Sequence, residues 1–456
     1  MTHTALTNTT LPNAELSPQD IGSQSTAPES IAPDDFVSEK VVPETSTLLT
    51  QAFDLNSQIR AQFPTLSQML GDYPLCYLDT AATSQKPLCV LEAMAQYYQY
   101  DNANVHRAAH QLSARATSSY EKVRDQLQLF INAKRREEII FTHGTTESIN
   151  LVAFGLTPQL KSGDLILIDS AAHHANIVPW QELAKRTGAI IKPIPLTQDC
   201  RLDLNAYQAL LELKPKVVAL CHVSNALGTV NPVVELVRQA KSQGALTLVD
   251  GAQAVAHLSV DMAAIDCDFY VFSGHKMYGP TGIGVLYGRF EILDTLTPLL
   301  TGGEMIKRVS FDGTEFGSLP NRLEAGTPPI SAVIGLGAAI RFLQQHLTSE
   351  VKAHEAELLQ YLQNQLRALG DVRVYGAHRD NIGAVAFNLA DEHHQDVGIL
   401  LDQQGVAVRC GHHCAMPLMQ TLNLKGCCRA SIGIYTNKTD IDRFIAALAS
   451  VKELLL

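Results

Sequence analysis

From about Phe53 onward, short apolar runs stop repeatedly at turns. The clearest are residues 138–141, 165–168, 217–221, 246–249 and 269–272. Runs of this length predict buried strands, and the helical-looking stretches between most of them predict parallel βαβ units. A sheet of that kind binds ligands beyond the carboxyl ends of its strands. The informative polar residues lie just where the runs stop: Gly144-Thr145-Thr146, His173-His174, Asn225, Asp250 with Gln253, and Ser273 with His275 and Lys276.

The last third has a different rhythm. A long helical region over 331–369, broken near Thr348, precedes strand-like runs at 372–375, 384–389, 406–409 and 429–435. A final amphipathic helix is expected behind a cap at Thr439, with Asp440 and Asp442 in its first turn. The expected class is therefore α/β: a large domain, 77–330, with a mostly parallel central sheet flanked by helices, and a smaller α+β domain. Residues 331–456 supply the linking helix and that small domain, and 53–76 pack with it. Residues 1–52 are rich in Ser, Thr, Pro and acids, with Lys40 as the single Lys or Arg. They read as a disordered extension rather than a secretory or organelle signal.

Composition narrows the function. A chain of 456 residues exceeds what one core usually holds. A net charge of -11 excludes a general binder of nucleic acid or anionic membrane. No apolar run approaches the ~20 residues of a membrane span. The nine cysteines are too sparse for a disulfide scaffold. The cluster Cys410, Cys414, Cys427 and Cys428 predicts thiol chemistry in a reducing, cytoplasmic setting.

Lys276 closes the segment Ser273-Gly274-His275-Lys276 at a predicted strand end. An amine can hold an aldehyde cofactor as a Schiff base, while a hydroxyl and an imidazole take its phosphate. Asp250, at the end of a neighbouring run, can keep a pyridine nitrogen protonated. Together they predict pyridoxal 5'-phosphate. Each feature also has a plainer reading. Gly144-Thr145-Thr146 caps a helix whether or not it meets a phosphate; Asp250 suits an ordinary turn; His173 suits a surface or a metal as well as a flat ring.

The segment 408–417 carries a second signal: Arg409, Cys410, His412, His413 and Cys414. Zinc is an alternative, but no partner pair at metal-ligand spacing occurs elsewhere, so no metal is predicted. A Gly-rich, His-flanked cysteine on a loop is the better nucleophile. Arg429, further on, has the planar fork that clamps a carboxylate.

These stretches together resemble the group II, SUF-type cysteine desulfurases among fold-type I pyridoxal-phosphate enzymes of the class V aminotransferase family. The resemblance covers about 53–456. It rests on residues 77–87, 104–107, 144–147, 173–180, 222–229, 249–253, 273–276, 302–306, 324–328, 411–417 and 428–431. Cys410 departs from it, standing where a small hydroxyl residue is expected.

The resemblance implies a reaction, L-cysteine to L-alanine with a persulfide on Cys414, that supplies sulfur for iron-sulfur cluster assembly. Lys276 would hold the cofactor and shuttle protons. Asp250 would pair with the ring nitrogen and His173 would stack on the ring, with Asn225 and Gln253 at its substituents. Thr145, Thr146, Ser273 and His275 would bind the phosphate. Thr327 would reach the phosphate of a partner subunit, making a homodimer the working unit. Arg429, with Arg409 and Asn225 nearby, would hold the substrate carboxylate. The short segment between Cys414 and Arg429 implies that a SufE-like or SufU-like acceptor comes to the site. A selenocysteine lyase, another aminotransferase-like enzyme and a non-catalytic sulfur-relay or zinc protein are the alternatives.

Overall fold

The structure, a computed structural model, describes residues 56–456. The predicted disorder of 1–52 lies outside them. Seven strands form the large sheet: β1 Ile139–Thr142, β2 Leu165–Asp169, β3 Ile190–Ile194, β4 Val217–Cys221, β5 Leu246–Asp250, β6 Phe269–Ser273 and β7 Gly284–Gly288. Their order is β1-β7-β6-β5-β4-β2-β3, with β7 antiparallel to both neighbours and the other pairs parallel. Six of these strands carry only buried residues or nearly so, because helices cover both faces. Helix α1 (Gln111–Phe130) lies on one face, and α2 (Thr145–Gly155) follows β1 on the other.

The apolar pattern missed two strands of this sheet. Strand β3 contains Lys192 and Pro193 and is largely exposed, which an edge position tolerates. Strand β7 is short and glycine-bounded. An exposed hairpin, Ile306–Ser310 with Gly313–Phe316, also escaped the pattern because every residue but the first is solvated.

Two helices, α3 (Ile330–His346) and α4 (Ser349–Ala368), replace the long helical region. Thr348 caps the second by accepting from the Val351 N–H, the break its position implied. A second sheet holds β8 Val372–Tyr375, β9 Ala384–Leu389, β10 Arg409–Gly411 and β11 Cys427–Ser431, ordered β8-β9-β11-β10 and antiparallel throughout. Helices α5 (His394–Asp402) and α6 (Lys438–Leu455) pack on it around Leu362, Val397, Phe387 and Phe444.

Three local expectations need correction. The run 406–409 is not one strand: Val406–Ala407 pairs parallel with Cys76–Tyr77, and the chain changes partner before β10. The strand expected over 429–435 ends at Ser431, where a turn at Gly433 closes on Thr436. The last helix is capped by Asn437, not Thr439, in a reciprocal box with Asp440.

The segment from Asn56 to Tyr77 bridges the two sheets. Phe63 packs edge-on against Tyr278, Phe342 and Tyr435 at 4.8–5.9 Å. Arg60 forks onto the Asp440 carboxylate at 2.7 and 3.1 Å, and the Asn56 amide donates to the Ile434 and Thr436 carbonyls.

Candidate active site

A cleft of about 650 Å³ opens at the carboxyl edge of the large sheet. Ala81, Thr145, Thr146, His173, Asn225, Asp250, Ser273, His275, Lys276, Arg409, His413, Cys414 and Arg429 line it. The last four come from the second sheet and its loop, so the cleft needs both halves of the chain.

Strand β1 hands over to α2 through Gly144. Its φ of 157° is backbone that L side chains rarely adopt, and the space around it is tight as well. A Cβ on Gly284 of β7 would lie 2.4 Å from the Gly144 Cα, so two glycines let the strands approach. That approach places the start of α2 against β6. The Ser273 hydroxyl accepts from the Thr145 N–H at 2.8 Å and shares a hydrogen bond with the Thr145 hydroxyl at 2.7 Å. Two hydroxyls and a helix N-terminus thus face one spot, the donor set for a phosphate. Thr146 is exposed there. The His275 ring approaches the Thr83 hydroxyl at 3.3 Å.

Asp250 ends β5, buried at the cleft wall, with one oxygen accepting from the Ala252 N–H at 3.0 Å. Burial pushes its pKa up, and the Lys276 charge opposes that shift. Burial likewise pulls the Lys276 amine down, with Asp250 opposing and Arg429 reinforcing. The acid and the amine favour each other's charged forms, while burial works against both. His173 accepts from the Ala175 N–H through Nδ1 at 3.0 Å. Burial, then the Lys276 charge, lowers its pKa to about 3, so its ring is neutral and flat-faced. The Asn225 Oδ1 is buried with no partner among the described residues. Gln253 is not in the cleft wall; its amide donates at 2.7 Å to the carbonyl of Ala81, which is. Thr327 is exposed and lines a different cavity, with His106, Tyr120 and Glu324.

The thiol loop is held under strain. His413 and Cys414 both have left-handed backbone, φ 51° and 56°, which non-glycine residues adopt at about 1 kcal/mol or more each. Hydrogen bonds hold that shape. The His174 N–H donates to the Cys414 carbonyl at 2.7 Å, and the His174 ring accepts from the Met416 N–H at 2.9 Å. The Asn225 amide donates to the His413 carbonyl at 2.7 Å, and the His413 Nε2 meets the Cys427 carbonyl at 3.0 Å. Cys414 itself is half-buried at the cleft wall.

Arg429 is buried and its guanidinium is engaged, donating to the Asp79 carboxylate at 2.7 Å and to the Asn225 carbonyl at 2.8 Å. Arg409 also lines the cleft, and its guanidinium has no hydrogen-bond or ion-pair partner among the described residues. Asp79, His174 and His413 belong to the site; the sequence marked the two histidines only as neighbours of His173 and Cys414, and it gave none of the three a bracing role. Asp79 sat in the 77–87 stretch, and His174 beside His173; nothing in the linear pattern showed that each would brace a residue far away.

A Schiff-base amine, a buried acid, a neutral ring, an unpaired amide oxygen and a phosphate cradle surround one space of the right chemistry for pyridoxal phosphate. The class-V aminotransferase family model matches residues 76–444, and the chain belongs to that family. Its fold is that of the fold-type I pyridoxal-phosphate enzymes, and it is a pyridoxal-phosphate-dependent protein. It is 48% identical over 402 residues to a cysteine desulfurase of Dickeya dadantii, covering 87% of this chain and 97% of that one. A solved cysteine desulfurase from Escherichia coli superposes with a TM-score of 0.82 at 40% identity, covering 88% of this chain and 99% of its own. Another, from Thermococcus onnurineus, gives 0.83 at 39% identity, with 88% and 98% covered. No helix among the described residues is long and apolar enough to cross a membrane.

Proposed function

We propose that this protein is a cysteine desulfurase that converts L-cysteine to L-alanine and keeps the sulfur on Cys414. The observation that carries the reading is one cleft holding a buried amine, a loop thiol and two arginines. Pyridoxal phosphate, when bound, supplies the electron-withdrawing ring that makes the substrate Cα–H acidic.

The chain supplies the rest. Lys276 holds the cofactor, and its amine moves the Cα proton; burial lowers its pKa and so favours the neutral, proton-accepting form. Asp250 would pair with the ring nitrogen, His173 would cover the ring and Asn225 would border its substituents, while Gln253 would act from behind by holding the Ala81 carbonyl. Thr145, Thr146, Ser273 and His275 take the phosphate. Arg409 binds the substrate carboxylate beside Arg429, whose fork Asp79 keeps aimed. The Cys414 thiolate then attacks the substrate sulfur. An S–S bond forms, the C–S bond breaks, and its electron pair stays with the carbon skeleton that leaves as L-alanine. Loop strain and the His174 clamp fix the thiol for that attack.

The chain's organisation follows the same division: a large cofactor-binding part over 77–330, and a part over 331–456 that brings the thiol loop and packs with 53–76. We infer a cytoplasmic homodimer in which Thr327 reaches the partner's phosphate, since in its own chain it lies outside the cleft. The persulfide goes to a SufE-like or SufU-like acceptor in a SUF-type pathway of iron-sulfur assembly. The short loop favours this, because it leaves no long arm to carry sulfur outward. Purified protein mixed with L-cysteine should change its visible cofactor absorption and release L-alanine. An unchanged spectrum with no L-alanine would rule out the assignment.

A further inference from the structure

Behind the two arginines lies a pair of thiols that the reaction does not use. Cys410 and Cys428 are directly opposed across β10 and β11, with their sulfurs 3.5 Å apart. Side chains alternate along a strand, so Arg409 and Arg429 face the cleft while Cys410 and Cys428 face the opposite side. There they meet the packing of α5 on the sheet. Gly398 of α5 makes room for them: a Cβ at that position would stand 2.4 Å from the Cys410 sulfur. Opposed residues of an antiparallel pair have Cα atoms about 4.5–5.5 Å apart, inside the ~4.4–6.8 Å range of disulfides. Small side-chain rotations therefore bring the sulfurs to bonding distance without moving the strands.

The two thiols are unequal. Cys410 is half-buried and Cys428 fully buried, next to the His394 carbonyl at 3.4 Å. The Cys428 hydrogen bond pulls the Cys410 thiol down and leaves Cys428 the protonated partner. Cys427, although adjacent, is on the other strand face, against the His413 ring at 3.3 Å.

We propose that Cys410 and Cys428 are a redox modification site at which a hydroperoxide forms an intramolecular disulfide. The Cys410 thiolate attacks a peroxide oxygen; the O–O bond breaks, the alcohol or water leaves, and a sulfenic acid remains. The Cys428 thiol attacks that sulfur, an S–S bond forms, and the S–O bond breaks with loss of water. Two thiols lose two electrons and the hydroperoxide gains them. A thiol reductant reverses the bond.

The test uses the cofactor-loaded, full-length protein. It is exposed to hydrogen peroxide, its remaining thiols are alkylated, and it is digested for mass spectrometry. Cys410 shares a tryptic peptide with Cys414, so fragment ions must assign the linkage. Wild type should give a Cys410–Cys428 link in most chains, lost after dithiothreitol, and Cys410→Ser should give none. Cys428→Ser, tested in parallel, should leave Cys410 as a sulfenic acid that dimedone traps. Independent alkylation of Cys410 and Cys428 after peroxide, or linkage of Cys410 to Cys414 or Cys427 instead, overturns the proposal.

Discussion

Arg409 and Arg429 stand directly opposite each other on the antiparallel strands β10 and β11, and both face the cleft. Two like charges in that position repel, and an anion between or beside them relieves the repulsion. Asp79 answers Arg429 at 2.7 Å, which leaves Arg409 without a partner until a carboxylate arrives. Arg409→Lys keeps the charge but loses the planar fork. It should raise KM for L-cysteine roughly tenfold, about 1.4 kcal/mol, with the cofactor spectrum unchanged. An unaltered KM would move carboxylate recognition elsewhere.

Asp79→Asn tests the bracing of Arg429. The guanidinium would lose its charged partner while remaining buried. Both KM and kcat should suffer, because the arginine is no longer aimed and the Asn225 contact weakens. If only protein stability falls, while the kinetics of the folded fraction are normal, Asp79 is structural.

Lys276→Ala removes the amine that anchors the cofactor and moves the proton. L-Alanine production should fall roughly a thousandfold or more, within the range that general acid–base groups contribute. Cofactor retained by this variant should be removable by dialysis. Near-normal turnover would refute the lysine's role.

The phosphate cradle depends on a close approach of backbones, so a single methyl should disturb it. In Gly284→Ala the new Cβ cannot coexist with Gly144 in its present place. The start of α2 would shift from Ser273, and the affinity for pyridoxal phosphate should drop about tenfold or more, with partial compensation if β7 moves instead. Titration of the apoprotein with cofactor, followed by visible absorbance, measures this directly. Wild-type affinity would show that the cradle lies elsewhere.

His222 offers a pH test away from the thiol loop. It is buried against the Tyr270 hydroxyl at 2.8 Å, and burial lowers its pKa to about 4. Its folded pKa lies below the ordinary histidine value near 6.5, so the folded state holds it neutral while the unfolded chain takes up a proton. The stability it contributes is present above pH 6.5 and is lost as pH falls from there toward 4. His222→Gln cannot titrate, so the stability gap between wild type and variant should narrow by about 2 kcal/mol from pH 7.5 to pH 5. Denaturant melts at the two pH values check it; a constant gap would mean that folding leaves the His222 pKa at its ordinary value.

How much of this was legible beforehand differs by element. Strands β4, β8 and β9 match their apolar runs residue for residue, because each is a self-contained run bounded by turns. Strand β3 was invisible because its exposed edge needs no apolar pattern. The division of 406–411 between two sheets was hidden for another reason: it depends on pairing with Cys76–Tyr77, more than three hundred residues away. At the site, residues with distinctive chemistry at strand ends stood out, as Lys276, Asp250 and Cys414 did. The bracing roles of Asp79 and His174 did not, since they come from what folding sets beside each residue.

The central claim is that sulfur leaves L-cysteine for Cys414. After brief exposure of the holoprotein to L-cysteine, alkylation and mass spectrometry should find one added sulfur on Cys414, with L-alanine formed alongside. Cys414→Ala should still bind cofactor and change its absorption with L-cysteine, yet release neither L-alanine nor sulfide at a significant rate. Added sulfur appearing first on Cys410, Cys427 or Cys428, or full activity without Cys414, would contradict the account.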